Sequence, residues 1–173
     1  MKHKILGPIG LILAAIILGA FAFPSYRQGE ASLAGRKAKD FQMQIPGAAR
    51  LSDLQGKVVI LNFWASWCQP CASEAADLEA TWRSYEETGK VVFLGVDYVD
   101  TEPEARAYMT EFDLSYPNGP DMGARISHIF NRNLGVPETY FIDRQGVLRF
   151  IQIGPFQSVA EIQAIIDPLL VVR

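Results

Sequence analysis

The segment from Lys57 to Trp64, KVVILNFW, is a nearly continuous apolar and β-branched run, and helical patterning follows it from about Gln69 to Thr88. A run with so little polar alternation offers no face to water, so it predicts a strand covered on both sides. Gly89 is the stop signal of the helix, and Val91 to Val96 is a second buried strand. Strand, helix and strand in that order argue for a parallel core.

The rest of the pattern extends that core. Asp40 to Ile45 alternates weakly and predicts an edge strand, stopped by Pro46-Gly47, and Leu51 to Gly56 reads as a short turn. Thr101, Pro103 and Glu104 predict a capped helix start, with the helix running to about Phe112. Tyr116 to Gly123 is turn-rich, and a short helix is expected around Ala124 to Asn131. Thr139 to Asp143 and Val147 to Ile153 flank Arg144-Gln145-Gly146 as an antiparallel hairpin. Ser158 and Glu161 form a second capping box, opening a last helix to about Leu170. The expected fold class is an α/β sandwich: a mixed central sheet flanked by helices.

The N-terminus is a separate object. Lys2, His3 and Lys4 precede an uncharged run from Ile5 to Tyr26, whose core, Ile5 to Phe23, has 19 residues. As a helix that core spans about 30 Å, the thickness of the hydrocarbon layer of a bilayer. Residues 1–26 therefore read as a transmembrane anchor. The alternative is a signal peptide cleaved after Ala22, since Ala20-Phe21-Ala22 satisfies a small-residue cleavage pattern. In both cases the positive flank stays inside the cell and the remainder is exported. Residues 27–38 read as a linker, and 39–173 as the folded domain.

Composition removes several functions. The formal charge of the 173 residues is −3, and without Lys2 and Lys4 it is more acidic still, so nothing points to nucleic acid. Two Cys allow one bridge, which excludes a disulfide-dense scaffold. A closed zinc site would need both Cys and both His, and His3 lies beside the N-terminus.

The chemistry is expected where strand meets helix, at Trp67-Cys68-Gln69-Pro70-Cys71. A helix N-terminus carries unsatisfied N–H groups and partial positive charge, both of which favour a thiolate. Cys68 sits there, so its pKa is expected below the ordinary value of about 8.5. Cys71 lies three residues on, a spacing at which the two sulfurs can meet. Pro70 removes an N–H that would be unpaired in the first turn. A c-type haem site would need His after Cys71, where Ala72 stands. A purely structural bridge over two residues would restrict the unfolded chain little. Metal binding would have to recruit His128, which otherwise reads as an ordinary surface or core histidine.

The segment Asn62 to Cys71, NFWASWCQPC, resembles the active-site segment of the thioredoxin superfamily. Gly135 to Asp143, GVPETYFID, is similar to the GVPETFLID segment of the membrane-anchored TlpA, ResA and CcmG/DsbE branch, and Gly95-Val96-Asp97-Tyr98 with Asp100 resembles it too. The likeness covers roughly Asp40 to Leu170. It implies a thioredoxin-like sandwich, with the helix from Glu102 to Phe112 as part of that branch's extra helix–strand insert. It implies a cis bond before Pro137, which leaves the Val136 backbone free to pair with a bound peptide beside Cys68. It also implies that Glu74 assists proton transfer at the thiols. A thioredoxin uses a buried Asp six residues before the first Cys; here that residue is Asn62, which cannot titrate, and the weight shifts to Glu74. The plain reading of Glu74 is an exposed acid in the first helical turn. Trp64 is expected in the core. Trp67 is expected on the rim where a partner packs, and Asp97, Tyr98 and Asp100 either shape that rim or form a solvated loop.

The resemblance thus implies an exported thiol–disulfide oxidoreductase with catalytic Cys68, Cys71 and Glu74 and with Trp67, Val136 and Pro137 at the substrate. No cofactor is expected beyond the redox-active pair. Apocytochrome c or another exported thiol protein is the implied partner, with a membrane thiol carrier as reductant. A peroxidase of the same fold would need a Cys outside the pair, and there is none. A copper-binding assembly chaperone using Cys68, Cys71 and His128, or a general exported thiol reductase, are the other readings.

Overall fold

The computed structural model describes residues 34–45, 50–130, 132 and 135–171. The expected anchor or signal, most of the linker and the Pro46-Gly47 stop lie outside them. Among the described residues no helix is long and apolar enough to cross a membrane.

Strand β1, Val58–Trp64, is buried at every position, as its run of apolar residues requires. It lies at the centre of a five-stranded sheet with β2, Val91–Asp97, and β3, Asn118–Pro120, on one side, and β4, Glu138–Ile142, and β5, Leu148–Ile153, on the other. The order is β3-β2-β1-β4-β5. Strands β1, β2 and β3 are parallel, and β4 and β5 run antiparallel to their neighbours. Helices α1, Gln69–Glu86, α2, Glu102–Glu111, α3, Arg125–Ile129, and α4, Val159–Val171, complete the domain.

Alternation along β1 divides the core into two layers. Val59, Leu61 and Phe63 pack with Phe41, Phe130 and Tyr140. Val58 and Ile60 pack with Leu78 and Trp82 of α1 and with Ile162 and Ile166 of α4. Each such side chain contributes about 1.5–3 kcal/mol by leaving water. A third cluster caps the C-terminal end of β1: Trp64, Ala65, Cys68, Cys71, Ala75, Ala105 and Tyr108. Asn62 shares the helix-covered face with Ile60 and Trp64, and this places a polar group under α1.

The boundaries differ from the sequence pattern at four places. Asp40 to Ile45 forms no strand, only an isolated bridge between Gln42 and Arg50. Its alternation reflects the burial of Phe41 and Met43 against the sheet. Strand β3 was hidden in the turn-rich stretch, because three residues ending in proline carry no period. Helix α1 stops at Glu86, and Gly89 turns the chain with φ +63°. Pairing also reaches back before Asp40: the Gly35 N–H donates to the Leu148 carbonyl at 2.7 Å, and Lys37 bridges to Val147.

Candidate active site

The loop Ala65–Trp67 carries the chain from β1 into α1, and Cys68 is the N-cap. Its backbone is extended, and its Sγ accepts the Cys71 N–H at 3.1 Å. Sulfur thus takes the part that a Ser or Asp oxygen plays at other helix starts. Cys68 and Cys71 are joined by a disulfide with Cα atoms 5.2 Å apart. Both are buried, whereas Trp67 beside them is 64% exposed. Among the described residues no group of three or more His, Cys, Asp or Glu is placed to hold a metal ion. His128 lies on α3 beside a small pocket of about 160 Å³ with Tyr98, Ser127, Arg132 and Gly135.

Glu74 stands one turn beyond Cys71, on the same face of α1. It is not the exposed first-turn acid that its position suggests: it is 1% exposed. Its Oε1 accepts from Asn62 Nδ2 at 3.0 Å and its Oε2 from the Phe156 N–H at 2.9 Å. Burial is the largest influence and pushes the carboxyl up to about 7. The Phe156 and Asn62 hydrogen bonds oppose it, and Asp77 and Glu161 add smaller upward pushes. The Asn62 amide also donates to Thr139 Oγ1 at 2.9 Å, tying β1, β4 and α1 together at this point.

The Val136–Pro137 peptide is cis. Val136 packs against the cluster that holds Trp64, Cys68 and Cys71, so the residues named from the sequence converge on one end of the sheet. Trp64 is buried as expected. Its ring stacks on Tyr108 with centroids 4.5 Å apart, and its Nε1–H donates to Asn118 Oδ1 at 2.8 Å. A Cβ on Gly95 would lie 1.7 Å from that oxygen, so this hydrogen bond needs glycine in β2.

Several members of the site carried no signal. Tyr108, Asn118 and Phe156 are ordinary residues in the sequence, and Thr139 carries no role of its own within the Gly135–Asp143 segment; helix packing, β pairing and loop closure bring them in. Asp97 and Asp100, read as rim or solvated loop, are drawn inward. Asp97 is 5% exposed, and Asp100 Oδ2 accepts the Ser66 N–H at 2.5 Å. Arg132 forms a buried ion pair with Glu138 at 3.0 Å, donates to the Gly135 carbonyl and lies over the Phe63 ring.

The chain is similar to known proteins in sequence and in fold. The profile of the AhpC/TSA family matches residues 34–151. The thiol-disulfide oxidoreductase ResA of Oceanobacillus iheyensis is 33% identical over 151 residues, covering 83% of this chain and 77% of its own. The thiol:disulfide interchange protein DsbE of Allochromatium vinosum is 31% identical over 170 residues, covering 92% and 90%. A thiol:disulfide interchange protein of the thioredoxin family from Chlorobium tepidum superposes with a TM-score of 0.68 at 26% identity, covering 79% of this chain and 97% of that one. With a disulfide-bonded Cys-x-x-Cys pair at the start of α1 and relatives named for thiol–disulfide exchange, the chain belongs to the thioredoxin-like AhpC/TSA family as a thiol–disulfide oxidoreductase of the ResA and DsbE type.

Proposed function

We propose that this oxidoreductase works on the extracytoplasmic face of a membrane and reduces exported cysteine pairs, with the haem-site cysteines of apocytochrome c as its substrate. The observation that carries the chemistry is the Cys71 N–H pointing at Cys68 Sγ. After reduction the same N–H stabilises a Cys68 thiolate, together with the positive end of α1. That thiolate attacks the partner disulfide; one partner sulfur leaves as a thiolate and a mixed disulfide remains. Cys71 then gives its proton to the Glu74 carboxylate and attacks Cys68 Sγ. The Cys68–Cys71 disulfide re-forms, the second partner sulfur leaves, and two electrons have passed to the partner.

Glu74 suits the proton step because burial holds its pKa at about 7, between carboxylate and thiol. Trp67 supplies an exposed apolar rim, and the Val136 backbone before cis-Pro137 is the segment on which a partner peptide lies. The direction of electron flow, the export and the substrate rest on the likeness of residues 135–143 and 95–100 to the cytochrome c maturation branch. Export also rests on the Lys2 and Lys4 flank of the N-terminal apolar run. An outside location requires a membrane thiol carrier to reduce the pair after each turnover.

The test is a Cys71→Ser chain incubated with an oxidised peptide bearing a Cys-x-x-Cys-His sequence. A covalent adduct on Cys68, seen by mass spectrometry and released by dithiothreitol, is expected. Absence of an adduct, with peptide reduction by the variant unimpaired, would overturn the reading.

A further inference from the structure

The chain passes from β2 to α2 through Tyr98, Val99, Asp100 and Thr101. In this connection Val99 lies in the left-handed backbone region, with φ +59°. Among the described residues ten positions have positive φ; seven are glycine, and the others are Val99, Asp113 and Ala124. Aspartate tolerates the region through its short polar side chain, and alanine carries only a methyl group. A branched Cβ crowds its own backbone there, so Val99 is the outlier of the set.

Packing does not explain the choice. The Val99 side chain is 59% exposed, so little burial offsets the strain. Its neighbours hold the conformation instead. The Tyr98 N–H donates to the Trp64 carbonyl at 2.8 Å, and the Tyr98 ring lies 5.1 Å from the Arg132 guanidinium carbon. Asp100 Oδ2 accepts the Ser66 N–H, and the Thr101 N–H is held by Glu104. Strands β1 and β2 end level with each other, Trp64 beside Asp97, so the loops that leave them adjoin. Val99 and Trp67 are each one residue removed from the Asp100–Ser66 hydrogen bond, and both present apolar side chains to water. Trp67 in turn precedes Cys68. Strain kept at an exposed position beside a reacting group points to a role in that group's work.

We infer that Val99 is a specificity residue of the exchange reaction: with Trp67 it grips an apolar side chain of the partner polypeptide close to the cysteine that Cys68 attacks. The inference rests on the polypeptide partner of the proposed function and adds what that partner must present. Glycine or asparagine would satisfy the turn with less strain and would offer no apolar group. Valine has a single side-chain torsion and the loop is tied on both sides, so little freedom is lost when the partner docks.

The test compares the full chain with Val99→Gly, Val99→Asn and Val99→Ile. Each is reduced and mixed with disulfide-bonded Cys-x-x-Cys-His peptides in which leucine or asparagine is walked through the flanking positions. At one position leucine should speed exchange with Cys68 by about fivefold or more over asparagine. That preference disappears in the Gly and Asn variants and survives in the Ile variant. All four proteins should reduce hydroxyethyl disulfide at one rate, and the Gly and Asn variants should unfold at urea concentrations equal to or above the parent's, because the strain is gone. Absence of a leucine preference, or its persistence in Val99→Asn, overturns the inference. So does a lower urea midpoint in both the Gly and Asn variants, or an equal slowing of hydroxyethyl disulfide, since the side chain then serves the fold. Failure of the parent chain to exchange with any peptide while it reduces hydroxyethyl disulfide overturns the proposed function and this inference with it; failure of the Val99 role alone is read from the variants.

Discussion

Asn62 and Glu74, from β1 and α1, share a 3.0 Å hydrogen bond one helical turn beyond Cys71. An amide thus stands where a titrating acid would have made a relay from the strand, and the buried acid comes from the helix. Asn62 donates to Glu74 and to Thr139 at once, so it orients the carboxyl without competing for its proton.

On the proposed mechanism, Glu74 sets the pH dependence of the second thiol step. Only its carboxylate accepts the Cys71 proton, so resolution of the mixed disulfide should speed up as pH rises through about 7. In Glu74→Gln that inflection disappears and the rate at neutral pH falls by about 100-fold. Stopped-flow resolution of a preformed Cys68 adduct across pH 5 to 9 is the check.

The same carboxyl makes the oxidised protein less stable as pH rises. Its pKa is about 7 in the folded chain and 4.5 in its ordinary state, so the folded form binds the proton more tightly. The stabilisation is full below the unfolded pKa and is lost as pH climbs through the folded one. Urea unfolding should show a decline of about 3 kcal/mol across that window, an upper figure for a group this buried. Glu74→Gln flattens the decline, because the amide has no proton to lose; the Asn62 amide can turn to present its oxygen to the new NH2 group.

Gly95→Ala should cost about 2–3 kcal/mol, from forced displacement and from the lost Trp64–Asn118 hydrogen bond. The added Cβ meets Asn118 Oδ1 at 1.7 Å and Trp64 Nε1 at 2.9 Å, so the side-chain pair must separate. Unfolding together with a changed Trp64 indole N–H resonance reports both effects.

Arg132→Met should destabilise the fold by about 3–5 kcal/mol, because it leaves Glu138 charged and buried beside the cis-Pro137 turn. The double variant Arg132→Met/Glu138→Leu should recover most of that loss, since an apolar pair replaces both charges. A double-mutant cycle by urea unfolding separates the pair from the packing of Arg132 on Phe63.

Trp67→Ala should leave stability within about 0.5 kcal/mol, since the ring is mostly in water. Exchange with a folded or peptide partner slows, while exchange with a small aliphatic disulfide does not. Comparing the two substrates in one assay decides whether the ring acts as a docking rim.

Some of this was legible along the chain because the signals are local. The seven buried positions of β1, the Pro70 helix start and the Glu104 reach-back at α2 depend on neighbours a few residues apart. Glu74 was legible as a candidate by its spacing from Cys71, but its burial was not. Exposure depends on the β5–α4 loop, which brings the Phe156 N–H across from a distant part of the sequence.

The sequence by itself determined the buried strand, the helix that follows and the two sulfurs at their junction, because hydrophobic period and helix capping act over single turns. Tertiary structure alone decided what surrounds those sulfurs. The register of β1 against β2 and β4 aligns Asn62 with Gly95 and Thr139, and β3 adds Asn118 beside them. Asp97 is buried at the end of β2, where the sheet pairs it between Trp64 and Pro120, and is not a rim acid. Such placements are set by pairing between strands and by burial, which no local pattern encodes.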